Sequence, residues 1–259
     1  MESTITRERR GHVLLIGFNR PQKKNAFTLE MLAELVQAYT ELDSDDALRV
    51  GVVFAHGNDF TAGLDLANVA PAIAAGKPLA PAGGVDPWGT HGPRCRKPVV
   101  IAAHGLCLTL GIELILSADI TVAAVGTRFG QIEIKRGIFP FAGGTYRWVE
   151  RVGWGNAMRY LLTADELDAA EALRIGLVQS VVAADEVLAS AIAIAERIAA
   201  QAPLGVQATL HNARLAVAEG QAAAAAALLP KLRELMVSTD AQEGLQSFIE
   251  RRQAVFTGK

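Results

Sequence analysis

The chain has 259 residues and a formal net charge of −2, with 51% hydrophobic and 20% charged residues. This length and composition suit a globular α/β protein with a large core, and the near-neutral charge gives no general attraction to nucleic acid or acidic membranes. Two cysteines are too few for a disulfide scaffold, so we expect a reducing compartment, the cytoplasm.

No segment of the sequence has both the length and the apolar character of a transmembrane helix. The longest apolar run, residues 106–118, contains Glu113 and is too short to cross a bilayer. The apolar run at residues 13–18 is too short for a signal-peptide core and follows a charged stretch. We therefore expect no membrane partner.

Strands and a helix alternate in the first 55 residues. Residues 13–18 and 50–55 are continuous apolar runs, which are typical of buried strands. Thr28 is placed to cap a helix between them, and the apolar face of that helix consists of Met31, Leu32, Leu35, Val36 and Tyr39. Two strands joined by one helix predict a βαβ crossover with parallel strands.

Residues 67–93 are rich in Ala, Gly and Pro, and we expect a mobile surface segment with a short helix near 66–75. Residues 99–103 and 120–124 predict two further strands, with an apolar helix over 110–117 between them.

Beyond about residue 143 the pattern is mostly helical. Ala-rich stretches at 185–201, 204–219 and 221–238 predict three helices, and we expect a short strand near 178–182.

Two glutamates lie among large apolar residues. Glu113 is inside the predicted helix 110–117, which is apolar on every face and should therefore be buried. An ionised carboxylate there costs several kcal/mol unless it is paired, hydrogen-bonded or neutralised, so Glu113 is a candidate acid or base. A structural glutamate bonded to backbone or to an arginine is the alternative. For Glu133, the run 129–134 alone favours a side chain that faces solvent.

Glycine-containing turns precede two of the predicted helices, at residues 60–66 and 104–111. Such a turn presents free backbone N–H groups, and two turns that converge on one point form an oxyanion hole. Asp65 in the first turn is alternatively only a helix cap.

Five motifs, in order along nearly the whole chain, resemble those of the crotonase (enoyl-CoA hydratase/isomerase) family. Residues 19–27 (NRPQKKNAF) resemble the early Asn-Arg-Pro…Asn-Ala motif, and residues 60–66 (FTAGLDL) resemble Phe-x-Ala-Gly-x-Asp-Leu. Residues 98–120 and 129–144 resemble the two blocks that carry the family's glutamates, and residues 243–256 resemble its closing signature. Each motif is weak alone, but five in family order are a specific signal.

The resemblance implies an α/β fold: a crotonase-like ββα superhelix, or spiral, with a helical C-terminal part. It implies a spiral core at residues 1–195 that binds acyl-CoA and carries the chemistry. Residues 196–259 are the helical oligomerisation part that the resemblance implies, in a homotrimer or a dimer of trimers.

The resemblance also implies a site. Glu113 and Glu133 match the catalytic pair, and the backbone N–H groups of Leu64 and Leu110 match the oxyanion hole for the thioester carbonyl. The positions that match substrate- and CoA-binding residues are Ala26, Ala62, Leu64, Asp65, Leu66, Phe256 and Lys259. The last two fall where the family's C-terminal tail approaches CoA, often across a subunit boundary.

The implied activity is that of an enoyl-CoA hydratase, which adds water across the double bond of a trans-2-enoyl-CoA thioester. Two carboxylates in one apolar pocket push their pKa values apart. We assign the activation of water to Glu113 and the proton delivery at the α-carbon to Glu133. The alternatives are an isomerase or an acyl-CoA hydrolase of the same family, or acyl-CoA binding without catalysis. CoA is part of the substrate, and we expect no separate cofactor.

Several positions depart from the family pattern. Ile132 replaces a proline, His104 stands where the family often has Asn, and Thr109 and Leu110 stand where many members have two glycines. We expect Leu110 to narrow the acyl pocket, and a different substrate or weak hydratase activity is the alternative.

Ala67 stands where some hydratases have a lysine near the adenine. Arg20, Lys23 and Lys24 are then the candidates for phosphate contacts, with plain solvated charges as the alternative.

Other chemistries have little support. His104 and Cys107 form a candidate nucleophile pair, but their spacing has no recognised catalytic meaning and buried core and turn explain them better. No His/Cys cluster supports a zinc site, so we expect no metal, and the glycine pairs lack a nucleotide-binding order.

Overall fold

The computed structural model describes residues 3–79 and 81–259. The strands of this part of the chain are β1 (Ile5–Arg10), β2 (Val13–Phe18), β3 (Val50–Ala55), β4 (Val99–Ala103), β5 (Leu106–Leu108), β6 (Ile120–Ala124), β7 (Arg128–Gly130), β8 (Glu166–Asp168) and β9 (Ser180–Val182). The larger sheet has the order β1-β2-β3-β4-β6-β9, and the smaller sheet has the order β5-β7-β8.

The α-helices of the described residues are α1 (Leu29–Ser44), α2 (Leu66–Ala74), α3 (Leu110–Ser117), α4 (Gly144–Val152), α5 (Trp154–Thr163), α6 (Ala169–Arg174), α7 (Val187–Ala199), α8 (Pro203–Glu219), α9 (Gln221–Met236) and α10 (Thr239–Glu250). Thr28 caps α1 as predicted, because its side chain accepts a hydrogen bond from Met31 N–H.

The chain visits the two sheets in turn, which produces a spiral. β4 lies in the large sheet, β5 in the small sheet, and α3 follows; β6, β7 and then α4 repeat the pattern. In the preceding turn β3 leads to Thr61, which bridges Cys107 of β5, before α2. The predicted βαβ crossover is present, since β2 and β3 pair in parallel with α1 between them.

The large sheet is covered on both faces, and its strands are therefore apolar throughout. Alternate residues of β2 show the division: Leu14, Ile16 and Phe18 join the main core, whereas Val13 and Leu15 face the smaller core covered by α7. The turn at residues 60–66 follows β3 of this sheet, whereas the turns that precede Leu110 and Glu133 follow β5 and β7 of the smaller sheet.

Part of the segment at 67–93 differs from the prediction. The short helix is present as α2, but Val85 and Trp88 are buried in the main core, so the prediction of a surface position is wrong for them. The cause is a set of polar anchors, described below, that hold this part of the segment against α1 and α3. Residue 80 of the segment lies outside the described residues.

The predicted helices at 185–201, 204–219 and 221–238 correspond to α7, α8 and α9. The boundary predicted after residue 195 falls inside α7, and the division into two parts stays a prediction. No single helix of the described residues is long and apolar enough to cross a membrane; α7 and α8 pass that test only as a pair bent by 106°.

Candidate active site

Glu113 lies in α3, all eight residues of which are buried. Its Oε1 accepts hydrogen bonds from Ala142 N–H at 2.7 Å and from Gly144 N–H at 2.8 Å. Its Oε2 is buried and has no partner among the described residues. Burial raises the pKa of Glu113 to about 7, and the charge of Glu133 adds to this rise, while the Gly144 N–H opposes it. Hydrogen bonds to Oε1 therefore fix the Glu113 carboxylate, and Oε2 can accept a further hydrogen bond or a proton.

Glu133 begins the short 3₁₀ turn Glu133–Arg136 that follows β7, and it is only 5% exposed. The run 129–134 alone favoured a side chain that faces solvent, and this interpretation is wrong. Its Oε1 accepts a hydrogen bond from Gln131 Nε2 at 2.7 Å, and its Oε2 is again buried without a partner in the described chain. Burial raises the pKa of Glu133 as well.

The structure brings the two glutamates into electrostatic contact, because the charge of Glu133 raises the pKa of Glu113. Each carboxylate has one oxygen fixed by N–H donors and one buried oxygen that has no partner in the described chain. Two such groups can hold one water molecule and divide the roles of acid and base between them.

Two backbone N–H groups are also free. Across residues 3–79 and 81–259, neither Leu64 N–H nor Leu110 N–H donates a hydrogen bond to the chain. The turns that carry them are in contact, since a Cβ added to Gly63 would overlap Thr109 Oγ1. Thr61 and Leu108 tie the same turns together by a backbone hydrogen bond of 3.0 Å. These two turns, predicted from their glycines, therefore do converge.

Thr109 directs the second turn through an unusual backbone conformation. Its φ is +49° and its ψ is −114°, a region that glycine adopts readily and a β-branched residue does not. This conformation directly precedes Leu110, the first residue of α3, whose N–H has no acceptor in the described chain. The side chain of Leu110 is 3% exposed and packs in the main core.

The predicted CoA-binding positions on the first two turns lie side by side. Ala62 N–H donates to Lys24 O at 2.9 Å, Phe27 N–H donates to Gly63 O, and Asp65 N–H donates to Phe27 O. Ala26 and Leu66 thereby flank the Leu64 turn, with Leu66 38% exposed at the start of α2.

Asp65 stands at the N-cap of α2, but its side chain does not cap the helix. It forms an ion pair with Arg20 at 2.9 Å, and Arg20 Nη1 also donates to Ala26 O. Arg20 therefore braces the turn and is not a free cation for a phosphate. Lys23 and Lys24 are exposed and have no acidic partner among the described residues.

Phe256 and Lys259 are not brought to the site within this chain. Arg49, just before β3, donates to Phe256 O at 2.6 Å, and Asp240 N–H donates to Lys259 O at 3.1 Å. Arg49 lies at the amino end of the parallel strands, whereas the Leu64 and Leu110 turns follow their carboxyl ends. A role for either residue at a CoA site requires a second copy of the chain.

Three further residues support the positions of the two glutamates. Gln131 holds Glu133 and is itself held by Trp148 Nε1 at 3.0 Å. Gly144 admits Glu113, because a Cβ there would lie 2.9 Å from Oε1. The Gly143-Gly144 pair was visible in the sequence, but the pairing of Gln131 with Trp148 was not.

The nucleophile pair considered above is not formed. His104 contacts Gly57 O at 2.9 Å, and burial raises the pKa of the Cys107 thiol well above its usual value. Within the described residues no group of His, Cys, Asp and Glu is placed to hold a metal ion. A surface cleft of about 640 Å³ opens beside α5 and α6, but charged side chains line it, so it does not suit an acyl chain.

Comparison with known proteins shows which family the chain belongs to. The family model for enoyl-CoA hydratase/isomerase matches residues 8–259. The enoyl-CoA hydratase EchA19 of Mycobacterium tuberculosis is 32% identical over 262 residues, covering 97% of this chain and 96% of the relative. The 2,3-dehydroadipyl-CoA hydratase of Escherichia coli is 33% identical over 264 residues, covering 100% and 99%.

A crystal structure of a probable enoyl-CoA hydratase/isomerase from Mycobacterium abscessus matches with a TM-score of 0.97 and 54% identity, over 99% of each chain. An enoyl-CoA hydratase structure from Mycobacterium tuberculosis matches with a TM-score of 0.90 and 35% identity, over the whole of both chains. The fold is thus the predicted ββα spiral, and the chain belongs to the enoyl-CoA hydratase/isomerase family.

Proposed function

We propose that this protein is an enoyl-CoA hydratase, a hydro-lyase that adds water across the double bond of a trans-2-enoyl-CoA thioester. The observation that carries the proposal is the pair of buried glutamates, each with one free oxygen, beside two free backbone N–H groups. Several relatives of nearly the same length are named as enoyl-CoA hydratases, which supports the same activity.

The proposed roles follow from the charges that develop in the reaction. The N–H groups of Leu64 and Leu110 donate to the thioester oxygen, which gains negative charge as water attacks the β-carbon. Removal of one such donor typically costs about 10²–10³ in rate. The CoA part of the bound thioester extends from the carbonyl along Ala26, Ala62 and the Leu64–Leu66 segment.

The two glutamates move the protons. Glu113 takes a proton from water while the water oxygen bonds to the β-carbon and the π electrons move to the thioester oxygen. Glu133, which begins the cycle protonated, then delivers its proton to the α-carbon as the carbonyl reforms, and the proton taken up by Glu113 passes to Glu133 to restore both groups. A base is most effective when its pKa lies near the working pH, and the pKa of Glu113, about 7, meets that condition. The mechanism uses only protein groups, water and substrate, so the proposal includes no further cofactor and no metal.

Isomerisation of a 3-enoyl-CoA is the second candidate, because the 54% identical structure is named a hydratase/isomerase. An isomerase needs one proton-shuttling glutamate. Retained isomerisation by Glu113→Gln, with no hydration by the wild type, would favour this candidate.

The proposal is tested by following the conjugated chromophore of trans-2-enoyl-CoA esters. Loss of the absorbance with wild-type protein, and formation of the 3-hydroxyacyl-CoA, is the expected result. Turnover of no enoyl-CoA ester, with retained acyl-CoA binding, would favour the non-catalytic alternative.

We also propose that the chain assembles as a homotrimer or a dimer of trimers in the cytoplasm. The support for assembly is a set of exposed apolar side chains on the C-terminal helices: Leu228, Leu229, Leu232, Met236, Leu245, Phe248 and Ile249. Such a patch favours a second copy of the chain. The placement of Phe256 and Lys259 away from their own site agrees with a contribution to a neighbour's CoA.

A further inference from the structure

Trp88 contacts the residues that flank both free N–H groups. Its Nε1 donates to Leu110 O at 3.1 Å in a buried hydrogen bond. Its ring meets Phe27 edge-on, with centroids 6.0 Å apart and an interplanar angle of 86°. Phe27 is bridged to Leu64, so one indole lies against the junction of the two turns.

The segment around Trp88 is fixed by polar contacts. The Asp86 carboxylate accepts hydrogen bonds from the N–H groups of Trp88, Thr90 and His91, at 2.8–2.9 Å. Ser117 at the end of α3 donates to Pro87 O at 3.0 Å, and Val85 N–H donates to Thr40 of α1. A loop anchored at both ends keeps Trp88, which is only 5% exposed, in one position.

Leu110 adds a second bulky group to the same place. Residues three apart on a helix are neighbours on one face, so the Leu110 side chain lies one turn before Glu113 on the face that carries the carboxylate. Many members of the family have glycine here, which leaves this space open. In this chain the Leu110 side chain is 3% exposed, and Glu113 Oε2, one turn further along α3, is buried without a partner in the described chain.

We infer that Trp88 and Leu110 close the acyl end of the site and restrict the substrate to short acyl chains. This inference rests on the proposed function and names its substrate class. The thioester oxygen is held between Leu64 and Leu110, and the reacting carbons lie at the glutamates. An acyl chain that continues beyond the β-carbon meets the Leu110 side chain and the anchored indole.

The test compares kcat/KM for trans-2-butenoyl-CoA and trans-2-decenoyl-CoA. Wild-type protein should favour the butenoyl ester by at least about tenfold, since a few misplaced methylenes in an apolar pocket change rates on that scale. Trp88→Ala and Leu110→Ala should each raise the decenoyl value relative to the butenoyl value by about tenfold.

Trp154→Ala is the matched control, because Trp154 is 70% exposed on α5 and should leave the ratio unchanged. Circular dichroism checks that each variant folds; if Trp88→Ala does not, Leu110→Ala and Trp88→Phe carry the test. Equal wild-type rates on both esters, or a ratio that neither folded variant changes, would overturn the inference.

Calorimetry with butyryl-CoA and decanoyl-CoA separates this inference from the proposed function. Absence of hydration with tighter binding of butyryl-CoA would remove the hydratase assignment and keep the chain-length restriction. Hydration with equal or tighter binding of decanoyl-CoA would keep the hydratase assignment and remove the chain-length restriction.

Discussion

Glu113 and Glu133 each retain a buried carboxylate oxygen that no donor satisfies within the described chain. Leaving a buried polar atom unpaired costs about 1–3 kcal/mol, and more when the group is charged. The chain carries this cost twice at neighbouring positions, while the other oxygen of each carboxylate is bonded. In the proposed function, a water molecule that donates to the free oxygens removes this cost.

The pH dependence of the activity follows from the base. If Glu113 must be ionised to activate water, kcat/KM should rise with pH and level off above about 7, the pKa that burial gives this group. A pH–rate profile on one enoyl-CoA ester measures the inflection. A rate that is flat across this range, or that falls as pH rises through 7, would contradict the role of Glu113.

The free energy of unfolding should change with pH in the opposite direction to kcat/KM. The pKa of Glu113 rises from 4.5 to about 7 on folding, so between these pH values the folded state binds more protons and its stability falls as pH rises. The loss is at most about 3 kcal/mol, and Glu113→Gln should remove it. Urea unfolding of both proteins at pH 5 and pH 8 measures the difference. The assigned pKa shift would be contradicted if the wild-type protein, relative to Glu113→Gln, became more stable between pH 5 and pH 8.

The sequence alone predicted the burial of Glu113, but it did not predict the burial of Glu133 or of Trp88. An apolar helix predicts a buried glutamate, and the structure confirms the burial. Glu133 required the family resemblance. Its partner Gln131 is held by Trp148, 17 residues further along the chain, in a contact that only the fold creates. Trp88 had no signal at all, since Pro- and Gly-rich surroundings indicate a surface loop.

At the scale of elements, the turn at residues 60–66 and the turn at residues 104–111 pack directly against each other. Gly63 has a φ of +90° and no side chain, and the space where a Cβ would lie is filled by Thr109. Thr109 in turn holds a conformation that costs of order 1–3 kcal/mol for a residue other than glycine. The strained residue directly precedes the Leu110 N–H, which is a fixed donor of the proposed oxyanion hole.

Gly63→Ala should therefore lower the free energy of unfolding by more than about 2 kcal/mol, because the backbone strain of an alanine at positive φ adds to its overlap with Thr109. It should also reduce the rate of enoyl-CoA hydration. Gly76→Ala is the control: its φ is +65°, nothing lies within 4 Å of the new Cβ, and the cost should be about 1 kcal/mol. Chemical unfolding measures both.

Thr109→Gly in the Gly63→Ala background should recover much of the excess loss, since it removes the overlapping side chain. An effect of Gly63→Ala no larger than that of Gly76→Ala, or no recovery in the double variant, would show that the turns are not in contact.

Apolar runs predicted α3 and five of the strands of the large sheet, β2, β3, β4, β6 and β9. An apolar helical face predicted α1, and Ala-rich stretches predicted α7–α9. The strands that were missed have physical reasons. β1 is a charged edge strand, with four exposed residues, that pairs antiparallel with β2. β5, β7 and β8 have three residues each, which is too short for a period to be recognised.

At the scale of the whole molecule, the C-terminal helices are too exposed to be stable alone. α8 has no buried residue and α9 has one, Ala224. The tail is nevertheless fixed, because the Asp240 carboxylate accepts the N–H groups of Thr257 and Gly258. The fixed tail and the uncovered apolar face together support the proposed interface between copies of the chain.

Light scattering should therefore give three or six times the mass of one chain. Leu232→Asp and Phe248→Asp place a charge on exposed apolar positions of α9 and α10 and should reduce that mass. Val125→Asp, at an equally exposed position outside these helices, should leave the mass unchanged. A wild-type monomer would refute the proposed assembly.

The most direct test of the account is the rate of hydration by Glu113→Gln, Glu133→Gln and the double variant, with exposed Glu150→Gln as control. Each single change should slow hydration by about 10²–10⁴. The double variant should be slower by no more than about tenfold beyond either single variant, because groups that act as a unit are not additive. Full activity in either single variant, or losses that simply multiply, would show that the two carboxylates do not act on one water.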